Sequence, residues 1–111
     1  MQDDVLDRLL SQLNERANTL PEGSYTTKLL RGGIPKIAEK ILEEAGEVIE
    51  AAGEPGADGL EHTVREAADL IYHLWVLLAF RGVELDQVRA ELARREGTSG
   101  LEEKRRRTEP K

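Results

Sequence analysis

Two pairs of carboxylates in this sequence have a spacing that can do chemistry. Glu44 and Glu47 stand three residues apart, and so do Glu66 and Asp69. On a helix that interval puts both side chains on one face, a turn from each other. Carboxylates held so close repel, and a shared cation relieves the repulsion. Antiparallel packing of the two helices would bring all four around one site. An all-oxygen set suits a hard cation, Mg2+ or Mn2+. A di-iron bundle would need Glu-x-x-His pairs; His73 follows Asp69 by four residues and has no counterpart beside Glu44, so iron does not fit. Mg2+ accepts phosphate oxygens and keeps waters, so it can clamp a polyphosphate and activate a water for in-line attack. Lys40 and Lys36, one and two turns before Glu44, could neutralise the remaining phosphate charge. They could equally pair within the helix, Lys36 with Glu39 and Lys40 with Glu44. For Asp69 taken alone, a buried hydrogen bond or a salt bridge to Arg65 or Lys40 is as good an account as a cation.

Four main helices must position these groups, in an all-α bundle with no internal repeat. Val5, Leu6, Leu9, Leu10 and Leu13 recur at helical spacing and predict a first helix from about Asp3 to Ala17. Leu20-Pro-Glu-Gly-Ser-Tyr-Thr-Thr reads as a loop, followed by a short helix over Thr26–Arg31 that Gly32-Gly33 stops. The second main helix starts near Ile34 or Pro35, with proline tolerated in the first turn, and ends at Ala52 before Gly53-Glu54-Pro55-Gly56. Ile37, Ile41, Ala45, Val48, Ile49 and Ala52 define its apolar arc. Glu44 falls on the border of that arc with Glu47 a turn further on, whereas Glu39, Glu43 and Glu50 turn toward solvent. The third helix runs from about Asp58 to Phe80. Its AADLIYHLWVLLAF stretch is apolar nearly all round, as in a helix covered on most sides, yet it carries Asp69 and His73 on one face with Glu66. A fourth helix spans about Leu85 to Arg95. The division expected is a helical domain over 1–95 and a charged, irregular tail over 96–111, whose Arg105-Arg106-Arg107 run is read as solvated.

The chain has 111 residues, enough for one domain, and oligomerisation would help so small a core. With 22 acids against 16 bases the net charge is −6, which argues against general nucleic-acid binding. There is no cysteine, hence no thiolate metal site. The acidic start and the absence of a long apolar run give no sign of a signal peptide or a membrane span, and a soluble cytoplasmic protein is expected.

Glu43-Glu44-Ala-Gly-Glu47, then eighteen residues, then Glu66-Ala-Ala-Asp69 resembles the EExxE…ExxD signature of the MazG-like all-α nucleotide pyrophosphohydrolases. Three longer stretches narrow the resemblance: LPEGSYTTKLL from Leu20, KIAEKILEEAGEVIEAA from Lys36 and EAADLIYHLWVLLAFRGVELDQVRAEL from Glu66. Along most of the chain the sequence is similar to the phosphoribosyl-ATP pyrophosphatases. That resemblance implies Mg2+-dependent hydrolysis of the α–β phosphoanhydride of phosphoribosyl-ATP, giving phosphoribosyl-AMP and pyrophosphate, in the second step of histidine biosynthesis. It implies a homodimer, which would complete the bundle and cover the third helix. It makes Glu44, Glu47, Glu66 and Asp69 metal ligands and Glu43, Glu44 and Glu47 the catalytic group, with Glu43 orienting water or a second metal. Ser24, Tyr25 and Thr26 would contact substrate phosphate or ribose beside Lys36 and Lys40. Tyr72 and His73 are read as supporting or core residues.

Two other readings stand beside this one. A MazG-like enzyme for ordinary or damaged nucleoside triphosphates shares fold, metal and bond, and differs at the 20–27 loop. A non-enzymatic helical dimer would carry the same acids as a solvated face. Glu44→Gln and Asp69→Asn separate enzyme from dimer. Each is expected to abolish turnover and leave the protein folded, by circular dichroism, because each removes one of several crowded negative charges. Unfolding of both variants would assign these residues to structure instead.

Overall fold

A computed structural model of the chain describes residues 4–97 and 100–108. Asp4 starts the first helix, α1 (Val5–Thr19), by accepting the Leu6 and Asp7 amides on its carboxylate, while the Asp7 side chain reaches back to the Asp4 amide. The helix thus starts after the expected Asp3, which lies outside the described residues. It also runs one turn-half past Ala17 and ends at Leu20, whose left-handed backbone (φ 46°) turns the chain. Ser24 caps α2 (Tyr25–Ala52) by accepting the Thr27 amide, and Thr27 donates its hydroxyl to the Pro21 carbonyl at 2.7 Å. The expected short helix and second main helix are the two limbs of α2, joined at Gly33 (φ 72°, ψ −168°). That backbone conformation is essentially reserved for glycine. Pro35 just beyond it lacks the amide that would bond to the carbonyl one turn back, so the bend has two causes in sequence.

A tight connection through Gly53 and Pro55 turns the chain into α3 (Gly56–Arg81), which lies back along α2. Gly59 makes this approach possible, since a Cβ there would run into the Glu54 carbonyl. α1 crosses both limbs of this hairpin. Leu10 and Leu13 of α1, Leu29, Leu30 and Ile37 of α2, and Trp75, Val76 and Ala79 of α3 form the core. The Trp75 indole donates to the Leu6 carbonyl at 2.9 Å, so the one large aromatic of the core also ties α3 to α1. Gly82, left-handed, ends α3 and leads to α4 (Leu85–Arg95), which buries no residue of its own. Arg89 fastens it by two 2.7 Å hydrogen bonds to the Asp7 carboxylate of α1.

Three expectations need correction. The apolar arc of α2 does not extend to its end: Ala51 is buried, whereas Ile49 and Ala52 are exposed. The buried line of this limb runs through Ile37, Glu44 and Ala51, seven residues apart, so the face turned inward is centred on a carboxylate, and Ile49 and Ala52 fall on its flank. Within one chain α3 is not covered on most sides, as Leu60, Val64, Leu74, Phe80 and Asp69 are exposed. The segment after Glu96 is not wholly irregular. Gly100–Thr108 forms a further helix, α5, with Glu102 and Arg106 paired one turn apart at 2.9 Å.

Three glycine-to-alanine variants test this geometry by thermal denaturation. Gly33→Ala should destabilise by about 1–3 kcal/mol through backbone strain, and Gly59→Ala should lower the midpoint by collision. Gly46→Ala, inside α2 with nothing within 4 Å of the new methyl, should instead stabilise by about 0.5–1 kcal/mol.

Candidate active site

Antiparallel packing of α2 on α3 brings the two carboxylate pairs face to face. Glu44, Glu66 and Asp69 each present an oxygen, and these oxygens all lie within 4.8 Å of one another. Opposite ligands of an octahedral Mg2+ stand about 4.2 Å apart, at about 2.1 Å from the ion, so the group needs little closure to hold one. Glu44 retains 7% of its exposure, Glu66 is half-buried and Asp69 is exposed. The site therefore has a buried wall and an open side. Glu47 adjoins the group, with its carboxyl against those of both Glu44 and Glu66.

The electrostatics of this arrangement are adverse. One oxygen of Glu44 and one of Glu66 are buried without a hydrogen-bond partner among the described residues, although buried polar groups are ordinarily paired. Burial, then the Glu47 carboxyl, then the charges of Asp69 and Glu66 push the Glu44 carboxyl up to about 7. Glu47, followed by burial, raises Glu66 as well. An all-carboxylate set with two orphaned oxygens fits a hard divalent cation and suits no soft one.

The remaining expected residues are placed around this cluster in distinct ways. Glu43 is exposed and receives a hydrogen bond from Lys40 at 3.2 Å, so Lys40 pairs with Glu43 and not with Glu44. Burial of Glu44 is the reason: its carboxyl turns toward α3, out of reach of a lysine on the rim. Lys36 stands 3.9 Å from Glu39 and is open to solvent, the intrahelical pair that the sequence allowed. Ser24, Tyr25 and Thr26 are not a free loop but the cap and first residues of α2. Thr26 is buried, with its hydroxyl 2.5 Å from that of Tyr72. Such a residue serves the fold; only Ser24 and Tyr25 of the three offer atoms to a ligand. Tyr25 is half-exposed, and its hydroxyl lies 2.8 Å from Nε2 of the buried His73. It feels the charges of Lys40, Glu43 and Glu44, which puts it on the same rim.

Sequence reasoning missed His62 and Glu54. The His62 Nδ1 is 2.9 Å from a Glu54 oxygen, and its Nε2 is 3.6 Å from Glu66. Glu54 raises the imidazole above its ordinary value, with a smaller contribution from Glu66. The i, i+4 relation of His62 to Glu66 was visible in sequence; the Glu54 contact depends on the turn between α2 and α3 and was not.

Comparison with known proteins agrees with this architecture. A profile of the phosphoribosyl-ATP pyrophosphohydrolase family matches residues 6–96. A protein of Rhodopirellula baltica named phosphoribosyl-ATP pyrophosphatase is 64% identical over 99 residues, covering 89% of this chain and 82% of its own. One of the same name from Erythrobacter litoralis is 53% identical over 103 residues, covering 93% and 96%. A third, from Metallosphaera sedula, is 49% identical over 92 residues, covering 83% and 96%.

The raised Glu44 carboxyl gives a pH signature. In metal-free protein Glu44 keeps its proton between about 4.5 and about 7, where the unfolded chain has released it. The folded state binds more protons across that window, so stability should fall as pH rises through it. Urea denaturation should show this fall, Glu44→Gln should flatten it, and saturating Mg2+ should reverse it by binding the ionised form. A stability that rises across the window would contradict the crowding.

Proposed function

From the premise that this chain belongs to the phosphoribosyl-ATP pyrophosphohydrolase family, we propose that it hydrolyses the α–β phosphoanhydride of phosphoribosyl-ATP to phosphoribosyl-AMP and pyrophosphate. This is the second step of histidine biosynthesis. The observation that carries the reading is the convergence of Glu44, Glu66 and Asp69, with two buried carboxylate oxygens that no hydrogen bond among the described residues satisfies.

Glu44, Glu66 and Asp69, with Glu47 beside them, would hold Mg2+, or Mn2+ in its place. When bound, such an ion supplies charge neutralisation at the phosphoanhydride and Lewis-acid activation of water. The chain's own groups bind and orient. Lys40 and Lys36 meet phosphate oxygens on the rim, and Lys40 exchanges its Glu43 partner for them. Glu43, freed by that exchange, orients the attacking water. Ser24 and Tyr25 contact the substrate where α2 begins. Hydrolysis adds water across one P–O bond of the α–β anhydride: the attacked phosphorus takes the hydroxyl, and the bridging oxygen leaves on the other phosphorus and takes the proton.

We place the catalytic unit in residues 1–95, with α5 outside it, and the protein in the cytoplasm as a homodimer. Leu42 and Ile49 on α2 lie seven residues apart on one face and are 73% and 72% exposed; Leu60 and Val64 on α3 are 67% and 62% exposed. Such a display in a small domain favours a second copy to cover it. No helix among the described residues is long and apolar enough to cross a membrane.

The test is pyrophosphate release from phosphoribosyl-ATP, with and without Mg2+, beside common nucleoside triphosphates. Release from phosphoribosyl-ATP alone, dependent on Mg2+ and lost in Glu44→Gln, is expected. Preferential release from the common triphosphates would assign the chain to the wider nucleotide-hydrolysing branch of the fold.

A further inference from the structure

His73 is the one buried histidine among the described residues, and the reading above gives it no task. Its Nδ1 lies 2.8 Å from the backbone carbonyl of Asp69 and its Nε2 lies 2.8 Å from the Tyr25 hydroxyl. A carbonyl oxygen only accepts, so the proton of this bond belongs to Nδ1. A neutral imidazole has a single N–H, and with that proton on Nδ1 the Nε2 presents a bare lone pair. The Tyr25 hydroxyl must therefore donate to it. A phenol has only one proton to give. Toward the open side of the site, Tyr25 is left with lone pairs and nothing to donate.

The ring cannot easily turn away from this role. Tyr25 stacks on Tyr72 with centroids 6.5 Å apart and meets His73 edge-on at 5.9 Å. The Tyr72 hydroxyl is directed to the buried Thr26, and the contact that the Tyr25 hydroxyl makes is the one to His73. Asp69 belongs to the carboxylate cluster, so the chain of hydrogen bonds runs from the backbone of a cluster residue, through His73, to a half-exposed ring on the rim.

We propose that Tyr25 accepts a hydrogen bond from a sugar hydroxyl of the substrate, and that His73 is the positioning residue that makes it an acceptor. A phosphate oxygen also accepts, so two acceptors would face each other there, and Tyr25 is excluded as a phosphate contact. The phosphates fall instead to Lys40, which stands beside Tyr25 on the same rim. The inference rests on the phosphoribosyl-ATP reading and narrows it. Of the contacts allowed to Tyr25 by the sequence, phosphate or ribose, only the ribose remains.

The experiment compares wild type, Tyr25→Phe and His73→Gln on phosphoribosyl-ATP and on analogues lacking one hydroxyl of either sugar. Tyr25→Phe keeps the ring and should raise KM about 3- to 10-fold, the worth of one hydrogen bond, with kcat within about twofold. On the analogue lacking the recognised hydroxyl, wild type and Tyr25→Phe should be equal, and the identity of that analogue tells which sugar is read. His73→Gln should lose discrimination between full substrate and that analogue, a ratio that a purely structural defect would leave unchanged. Nitrogen NMR of the unliganded wild type, at about pH 8 and above the ordinary titration range of imidazole, should show His73 protonated on Nδ1 and bare on Nε2. A Tyr25→Phe penalty that persists on every analogue, or a His73 bearing its proton on Nε2 or on both nitrogens, would overturn the proposal. Wild type inert on phosphoribosyl-ATP would overturn it together with the parent reading, whereas full wild-type activity with an indifferent Tyr25→Phe would remove this inference alone.

Discussion

Like charges forced together in a half-buried seam are the constraint around which this molecule is arranged. Glu44 is nearly inaccessible, is surrounded by Glu47, Glu66 and Asp69, and finds no partner among the described residues for its inner oxygen. Left alone, such a cluster costs folding free energy, and a chain selected only for stability would replace it with apolar residues. The rest of the structure keeps it in place. The core residues lie toward the bent end of α2 and the far end of α3, so apolar burial holds the two helices against the repulsion between them. The unfavourable electrostatics and the favourable packing are carried by the same pair of elements.

The bend at Gly33 and the tight turn at Gly53 to Pro55 complete that arrangement. Without the bend, α2 would carry Tyr25 and Ser24 straight on past the end of α3. With it, the first limb of α2 folds across so that Tyr25 reaches His73, one turn beyond Asp69. The turn at the other end sets the register that faces Glu44 with Glu66 and brings Glu54 over His62. The bend and the turn together bring Tyr25, through His73, to the backbone of Asp69 in the carboxylate cluster.

Much of this was legible in the sequence, for reasons that can be named. The four carboxylates were visible because period-three pairs beside an apolar stripe have few other uses, and Gly32-Gly33 with Pro35 announced the interruption of α2. The limits were also physical. A wheel centred on apolar residues gives no weight to a buried carboxylate, so it missed that the inward line runs through Ile37, Glu44 and Ala51, and it misplaced Ile49 and Ala52. Spacing alone could not say whether Lys40 would prefer Glu43 or Glu44, because the choice depends on which carboxylate is buried. Thr26 looked like a loop hydroxyl until α2 was found to begin before it. The Glu54–His62 contact spans a turn whose geometry no periodicity encodes, and the short-range Glu102–Arg106 pairing in α5 was masked by a composition typical of irregular tails.

The attachment of α4 has a consequence for how the fold comes apart. α4 contributes no fully buried side chain, only Leu85 at its start lies against the core, and its hold on α1 is the Arg89–Asp7 ion pair. An element held by charge at its flank, and not by burial, opens separately from the rest. Raising the ionic strength weakens that hold while leaving the apolar contacts of the hairpin intact. α4 therefore opens as a unit of its own, and its backbone amides should exchange with solvent ahead of those in α2 and α3.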